Sequence, residues 1–290
     1  ALYRIGSGAS DYDYKWTEVL MDRIGNRMQG GSLHYYTCSG WDGPKGSATK
    51  FDNDQYYWAL GKCLEIEEVI KKNKAIMDQK DPEGKVGLLV DEWGTWWDEE
   101  PGTVPGHLYQ QNALRDAFVA ALSLNVFHKY TDRVKMANIA QIVNVLQSMI
   151  LTDQEGTGHM VLTPTYHVFQ MYTPFMEATY LPVDLQSEVV AVSKAYFKQK
   201  EGAKDAGYRP CPLLSASAAK TTDGNIVLAI TNVSLDKAQT IDFDIAGYNA
   251  KSVTGRILTS KNVADYNDFQ HANVVAPADF KDAKLNKGVL

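Results

Sequence analysis

Cysteine is scarce in this chain of 290 residues: there are three, Cys38, Cys63 and Cys211, far apart and without a Cys-x-x-Cys pair. That spacing argues against a disulfide framework and against a zinc site, so all three are expected as free thiols. Basic charge is short as well. With 29 Lys and Arg against 35 Asp and Glu the net charge is −6, and no basic cluster is interleaved with aromatics. A nucleic-acid partner is thereby excluded, and neutral or small partners are expected. No apolar stretch approaches the roughly 20 residues of a membrane helix, so no membrane partner is expected either. The opening "ALYRIGSGAS" lacks an initiator Met and a signal pattern, and the closing "AKLNKGVL" stops as a strand would begin, so both ends read as cut.

What is present, 44% apolar and 22% charged residues, suffices for a sizeable core and more than one domain. Over residues 1–180, short apolar strands alternate with amphipathic helices. "LYRIGSGAS" reads as a strand, followed by a helix with Trp16, Val19, Leu20 and Ile24 on one face. "GGSLHYYT" is a second strand, then a Gly/Pro/Ser-rich loop and a helix carrying Ala59, Cys63, Ile66 and Ile70. "KVGLLVDEW" is a third. Two helices are expected next, one with Leu114, Ala117, Phe118, Ala121 and Leu122, the other with Ile139, Ile142, Val143, Leu146 and Ile150. "HMVLTPTYHVFQMY" is expected as the fourth strand.

Repeated strand–helix units with doubly apolar strands indicate a parallel sheet, in an α/β barrel or a doubly wound fold. Polar and aromatic residues gather where strands end, at His34–Thr37, Asp91–Trp97 and Thr163–His167, which favours the barrel. Only four of the eight units a barrel needs are found, so residues 1–180 are expected to form its second half. Over residues 181–290 the pattern changes to period two, with Ile226, Leu228 and Ile230 on one face and Ile241, Phe243 and Ile245 on another. An antiparallel β-sandwich is expected, lacking its last strand.

The chemistry concentrates in "LLVDEWGTWW". Asp91 and Glu92 are adjacent, so on a regular strand only one faces the barrel mouth. A carboxylate there can serve as nucleophile or general acid/base, and sugar hydrolysis needs two such groups flanking the scissile bond. Indoles nearby suit the C–H faces of sugar rings. An acid at a strand end is also commonly a helix cap or a surface charge, and spacing alone leaves both open. His34 and Tyr36 lie two apart on one strand face, and Thr163, Thr165, Tyr166 and His167 are candidates on the next strand; either set could equally be structural. Glu67, Glu68 and His271 read as solvated surface.

The segments "DYKWTEVLM", "SLHYYT", "LVDEWGTWW", "QQNALRDAFVAALSLNVFHKYTDRVKMANIAQIVNVLQSMILTD" and "MVLTPTYHVFQMY", in order, resemble the second half of a family 51 glycoside hydrolase, an α-L-arabinofuranosidase. The resemblance implies an eight-stranded barrel with a β-sandwich and hydrolysis of terminal arabinofuranosyl groups with retention. It implies Glu92 as the nucleophile and His34, Tyr36, Trp93 and Trp96 as substrate-binding residues, with His34 and Tyr36 beside the nucleophile, Trp93 following it, and Trp96 on the leaving-group side. Where some relatives present a Gln to the substrate, this chain has Pro164. The family's acid/base Glu follows an Asn, and no Asn-Glu pair occurs here. A complementary N-terminal half of the barrel is therefore expected as partner, with an arabinofuranosyl oligo- or polysaccharide as substrate. A homo-oligomer, a cytoplasmic location and no metal or organic cofactor are also implied. The rival expectations are a β-xylosidase or endoglucanase of the same family, a binding module using the sandwich, and an inactive fragment.

Overall fold

The structure, a computed structural model, describes residues 2–153, 155–194 and 207–285. Its first element, β1 (Ile5–Ser10), is followed by α1 (Tyr14–Ile24), β2 (Gly30–Thr37), α2 (Asn53–Lys80), β3 (Gly87–Thr95), α3 (Leu114–Lys129) and β4 (Val134–Ile139). The four strands form one parallel sheet in the order β1-β2-β3-β4. Leu33, Tyr35, Leu88 and Val90 of the strands pack with Ile66, Ile70, Ala117 and Ala120 of the helices in one core. Helix α2 starts at a capping box in which the Asp52 carboxylate accepts from Gln55 N–H and the Gln55 side chain accepts from Asp52 N–H. Gly8 is required for the β1–β2 approach, because a Cβ there would fall 1.5 Å from the Ser32 carbonyl oxygen.

Two expectations need correction. In α1 the buried residues are Thr17 and Met21, while Trp16 and Val19 are exposed. The period was right and the face was rotated, because Thr17 Oγ1 donates to Asn73 of α2 at 2.5 Å and fixes which side turns inward. The second correction concerns the fourth strand. The helix expected through Ile139, Ile142, Val143, Leu146 and Ile150 does not form. Instead Val134–Ile139 is β4, and the segment after it has Asn144 and Leu146 at φ 60° and 53°, where a right-handed helix cannot continue. As an edge strand with only Val134 and Ile139 buried, β4 lacks the apolar run that marked its neighbours.

The segment taken for the fourth strand divides into two other elements. A hairpin forms from β5 (Ile150–Thr152) and β6 (Met160–Leu162), and α4 (Pro164–Tyr172) follows. Thr163 caps α4, its hydroxyl accepting from Tyr166 N–H at 3.3 Å, and Pro164 occupies the first turn where it forfeits no hydrogen bond. The chain thus does contain four strand–helix units, with the fourth displaced.

The remainder is antiparallel and sandwich-like: β7 (Thr179–Leu181), β8 (Val189–Ser193), β9 (Tyr208–Pro212), β10 (Leu214–Lys220), β11 (Ile226–Asn232), β12 (Gly255–Ile257) and β13 (Ala278–Phe280). They pair as β11-β10-β7, β8-β9 and β12-β13, so this layer already begins at residue 179. Its small polar face docks on α3: Asn125 Nδ2 donates to Ser215 at 3.0 Å, and the His128 ring meets Ser217 Oγ at 2.8 Å. The face carrying Ile226, Leu228 and Ile230 is turned away, leaving Ile230 exposed. Along 241–245 burial alternates as the period predicts, Ile241, Phe243 and Ile245 half-buried and Asp242 and Asp244 exposed, but no multi-residue strand forms there. The strand start expected at the very end falls on residues 286–290, outside the described residues. All three cysteines are free and buried.

Candidate active site

The C-terminal ends of β2 and β3 bring the predicted carboxylate and its neighbours together. In the β2–β3 ladder His34 lies opposite Glu92, Tyr35 opposite Trp93 and Tyr36 opposite Gly94. Tyr36 Oη donates to Glu92 Oε1 at 2.8 Å. Burial, and then the Glu92 carboxylate that accepts its proton, raise the Tyr36 hydroxyl well above the ordinary phenol range, so it remains a donor at every working pH. His34 Nδ1 sits 3.4 Å from Glu92 Oε2. Its other nitrogen, Nε2, sits 3.3 Å from Asp91 Oδ1, and Ser32 Oγ donates to the same Asp91 oxygen at 2.6 Å.

Asp91 therefore belongs to the constellation, contrary to the expectation that adjacent acids face opposite ways. The physical reason is a ladder irregularity between Ser32 and His34 and between Val90 and Trp93, which breaks strict alternation and leaves Asp91 and Glu92 both half-buried. Alternation resumes at Trp93, and this corrects its expected role at the substrate. Trp93 is 1% exposed, edge-on to Phe127 of α3 at 5.1 Å and stacked with Phe169 of α4 at 6.1 Å, on the helix side of the sheet.

Trp96 is half-buried and packs beside Tyr36. Its ring centroid is 5.3 Å from that of Tyr36 and 5.6 Å from that of Trp41. Trp41 and Asp11 also lie beside these residues, and sequence reasoning did not single them out. Asp11 follows β1 directly at φ 50°, a conformation Asp tolerates, and its N–H donates to His34 O at 2.9 Å. Burial raises its carboxyl, opposed by the Lys62 ammonium and by hydrogen bonds from the Tyr36 main chain and the Trp41 side chain. The signal available in sequence was position: each residue sits within a few residues of a parallel strand's C-terminal end.

A buried polar network fixes the end of β3. Asp116 Oδ1 accepts from Thr95 Oγ1 at 2.9 Å and from Trp97 Nε1 at 2.8 Å. Gln147 Oε1 accepts from Thr95 N–H at 2.8 Å while its Nε2 donates to Asp116 O at 2.6 Å. Gly94, at φ 140°, permits this approach, since a Cβ would stand 3.2 Å from Gln147 Oε1. Arg115, wedged between Phe51 and Trp97 at 3.9 and 3.8 Å, closes the far side. Held by so many partners, the strand end is preorganised.

The candidates on "TPTYHVF" lie elsewhere. Thr163 caps α4, Thr165 receives a hydrogen bond from Gln147 Nε2 at 3.1 Å, and His167 is buried behind the helix. Among the described residues no group of three or more His, Cys, Asp or Glu could hold a metal ion, and no helix is long and apolar enough to cross a membrane.

A carboxylate gripped by a tyrosine at the end of a parallel strand and walled by indoles is a site of the glycoside-hydrolase class. The family model described as the alpha-L-arabinofuranosidase C-terminal domain matches residues 91–290, and the chain belongs to that family, the glycoside hydrolase family 51 arabinofuranosidases. An intracellular exo-alpha-L-arabinofuranosidase of Bacteroides ovatus is 58% identical over 289 residues, covering 100% of this chain and 53% of the relative. The crystal structure of the GH51 arabinofuranosidase from Xanthomonas axonopodis pv. citri superposes with TM-score 0.89 at 44% identity, covering 98% of this chain and 54% of that one. An arabinose complex of an alpha-L-arabinofuranosidase from Thermotoga maritima shares the fold, with TM-score 0.73 at 22% identity over 95% of this chain and 52% of that one. The chain spans about half the length of these relatives.

Proposed function

We propose that the whole protein is a retaining exo-α-L-arabinofuranosidase in which Glu92 is the nucleophile. The observation that carries the reading is the Tyr36–Glu92 hydrogen bond at the end of β3. Glu92 attacks the anomeric carbon as the leaving oxygen takes a proton from a second carboxyl, and a water activated by that same group then releases the sugar. Tyr36 holds one Glu92 oxygen so that the other is aimed, and His34 bridges Glu92 to Asp91.

The second carboxyl comes from outside this chain. The four-stranded sheet is read as the second half of a (β/α)8 barrel (residues 1–180) with residues 181–290 as its sandwich domain. The N-terminal half supplies the acid/base about 5–5.5 Å from Glu92, as retention requires. The 58% identity to a relative named intracellular supports a cytoplasmic location, and a homo-oligomer is part of the same reading.

The test is hydrolysis of 4-nitrophenyl α-L-arabinofuranoside by the whole protein and by this chain alone, with the first-formed anomer followed by NMR. Turnover with retention by the whole protein and none by the isolated chain is expected. Turnover by the isolated chain would place an acid/base within these residues and overturn the division. Cleavage of 4-nitrophenyl β-D-xylopyranoside in preference would point to the β-xylosidase alternative.

A further inference from the structure

We propose that Asp91 is a positioning residue for the reaction, fixing the ring of His34 and through it the plane of the Glu92 carboxylate. The inference rests on the reading of Glu92 as nucleophile and deepens it.

The Glu92 carboxylate is approached from two sides. Tyr36 Oη donates to Oε1 at 2.8 Å, and His34 Nδ1 stands 3.4 Å from Oε2. A reacting group has to be aimed to within roughly 10–20°, so these contacts serve only if the partners are themselves fixed. Tyr36 is buried, at 3% exposed. His34 is only half-buried, and the torsion that turns an imidazole is soft, so a ring touched at one nitrogen can swing. Asp91 Oδ1 removes that freedom from the other nitrogen, 3.3 Å from Nε2. Ser32 Oγ donates to the same Asp91 oxygen at 2.6 Å and holds it in place.

The run Ser32, Asp91, His34, Glu92 thus crosses between β2 and β3 at every step and ends on the nucleophile. Regular strands could not build it, because the neighbour of Glu92 would then point to the opposite face. The irregularities between Ser32 and His34 and between Val90 and Trp93 turn Asp91 towards His34. Among the described residues no Lys or Arg pairs with Asp91, so its charge is not spent on a cation. A carboxylate at the far nitrogen of an imidazole is an effective way of fixing the near one.

The experiment uses the whole protein and 4-nitrophenyl α-L-arabinofuranoside. Asp91→Ala should lower kcat and kcat/KM alike, about tenfold, with KM and the melting temperature little changed. Asp91→Asn, which keeps an oxygen for Ser32 Oγ and His34 Nε2, should recover most of that loss. In a His34→Ala background, Asp91→Ala should cause no further loss, because its route to Glu92 is gone. Unchanged kcat in Asp91→Ala, or a second full loss in the His34→Ala background, would overturn the positioning role. Should Asp91→Ala fail to fold, Ser32→Ala carries the same test: a loss of kcat that vanishes in the His34→Ala background supports the role, and one that persists there overturns it. Wild-type-like turnover by Glu92→Ala would instead remove the nucleophile reading, and the positioning role with it.

Discussion

Tyr36 Oη lies 2.8 Å from Glu92 Oε1, across neighbouring parallel strands, and its proton is locked on the phenol by burial and by the carboxylate itself. Removing the hydroxyl takes away one charge-assisted hydrogen bond, worth about 1.5–3 kcal/mol. Tyr36→Phe in the whole enzyme should therefore lower kcat by roughly 10- to 100-fold, with thermal stability and KM little changed. Steady-state kinetics with a melting curve decide it, and full activity would show that Glu92 is aimed by other groups.

Trp93 adjoins Glu92 in sequence yet lies in the core with Phe127 and Phe169. Trp93→Ala should cost about 3–5 kcal/mol of stability. Whatever folded enzyme survives at low temperature should keep its KM. A protein that melts normally but binds substrate weakly would return Trp93 to the substrate side.

His128 of α3, half-buried against β10, has its pKa pushed down to about 4 by desolvation, against 6.5 for the free side chain. Between those values the unfolded chain binds a proton that the folded one does not, so stability rises with pH there. The contribution is whole above pH 6.5 and is lost as pH falls towards 4, by up to about 3 kcal/mol. His128→Gln should flatten the decline of the melting temperature over that window; parallel pH profiles for the two proteins would contradict this.

Element type was legible wherever burial was two-sided: β2, β3, α2 and α3 announce themselves by apolar runs or helical periods. The edge strand β4 did not, because half its side chains meet solvent and its apolar residues mimic a helix when joined to those beyond it. The Thr163–Pro164 pair was a helix start read as a strand end. At the site, alternation put His34 and Tyr36 on one face but left Asp91 and Glu92 both open; the resemblance supplied the role of Glu92 and put Trp93 at the substrate, whereas Trp93 lies in the core. Asp91 required a ladder irregularity that no single sequence displays, and Asp11 and Trp41 come beside these residues through loop geometry set by partners distant in the chain.

The most direct test of the account is the covalent labelling of Glu92. The whole protein is to be treated with a mechanism-based arabinofuranosyl inactivator, digested with trypsin and sequenced by mass spectrometry. The peptide spanning residues 86–115 contains Glu92 together with Asp91, Asp98, Glu99 and Glu100, so fragment ions must place the added mass. The account predicts one stoichiometric adduct on Glu92, formed at the rate at which activity is lost. An adduct on Asp91, or on a peptide outside 86–115, would contradict it.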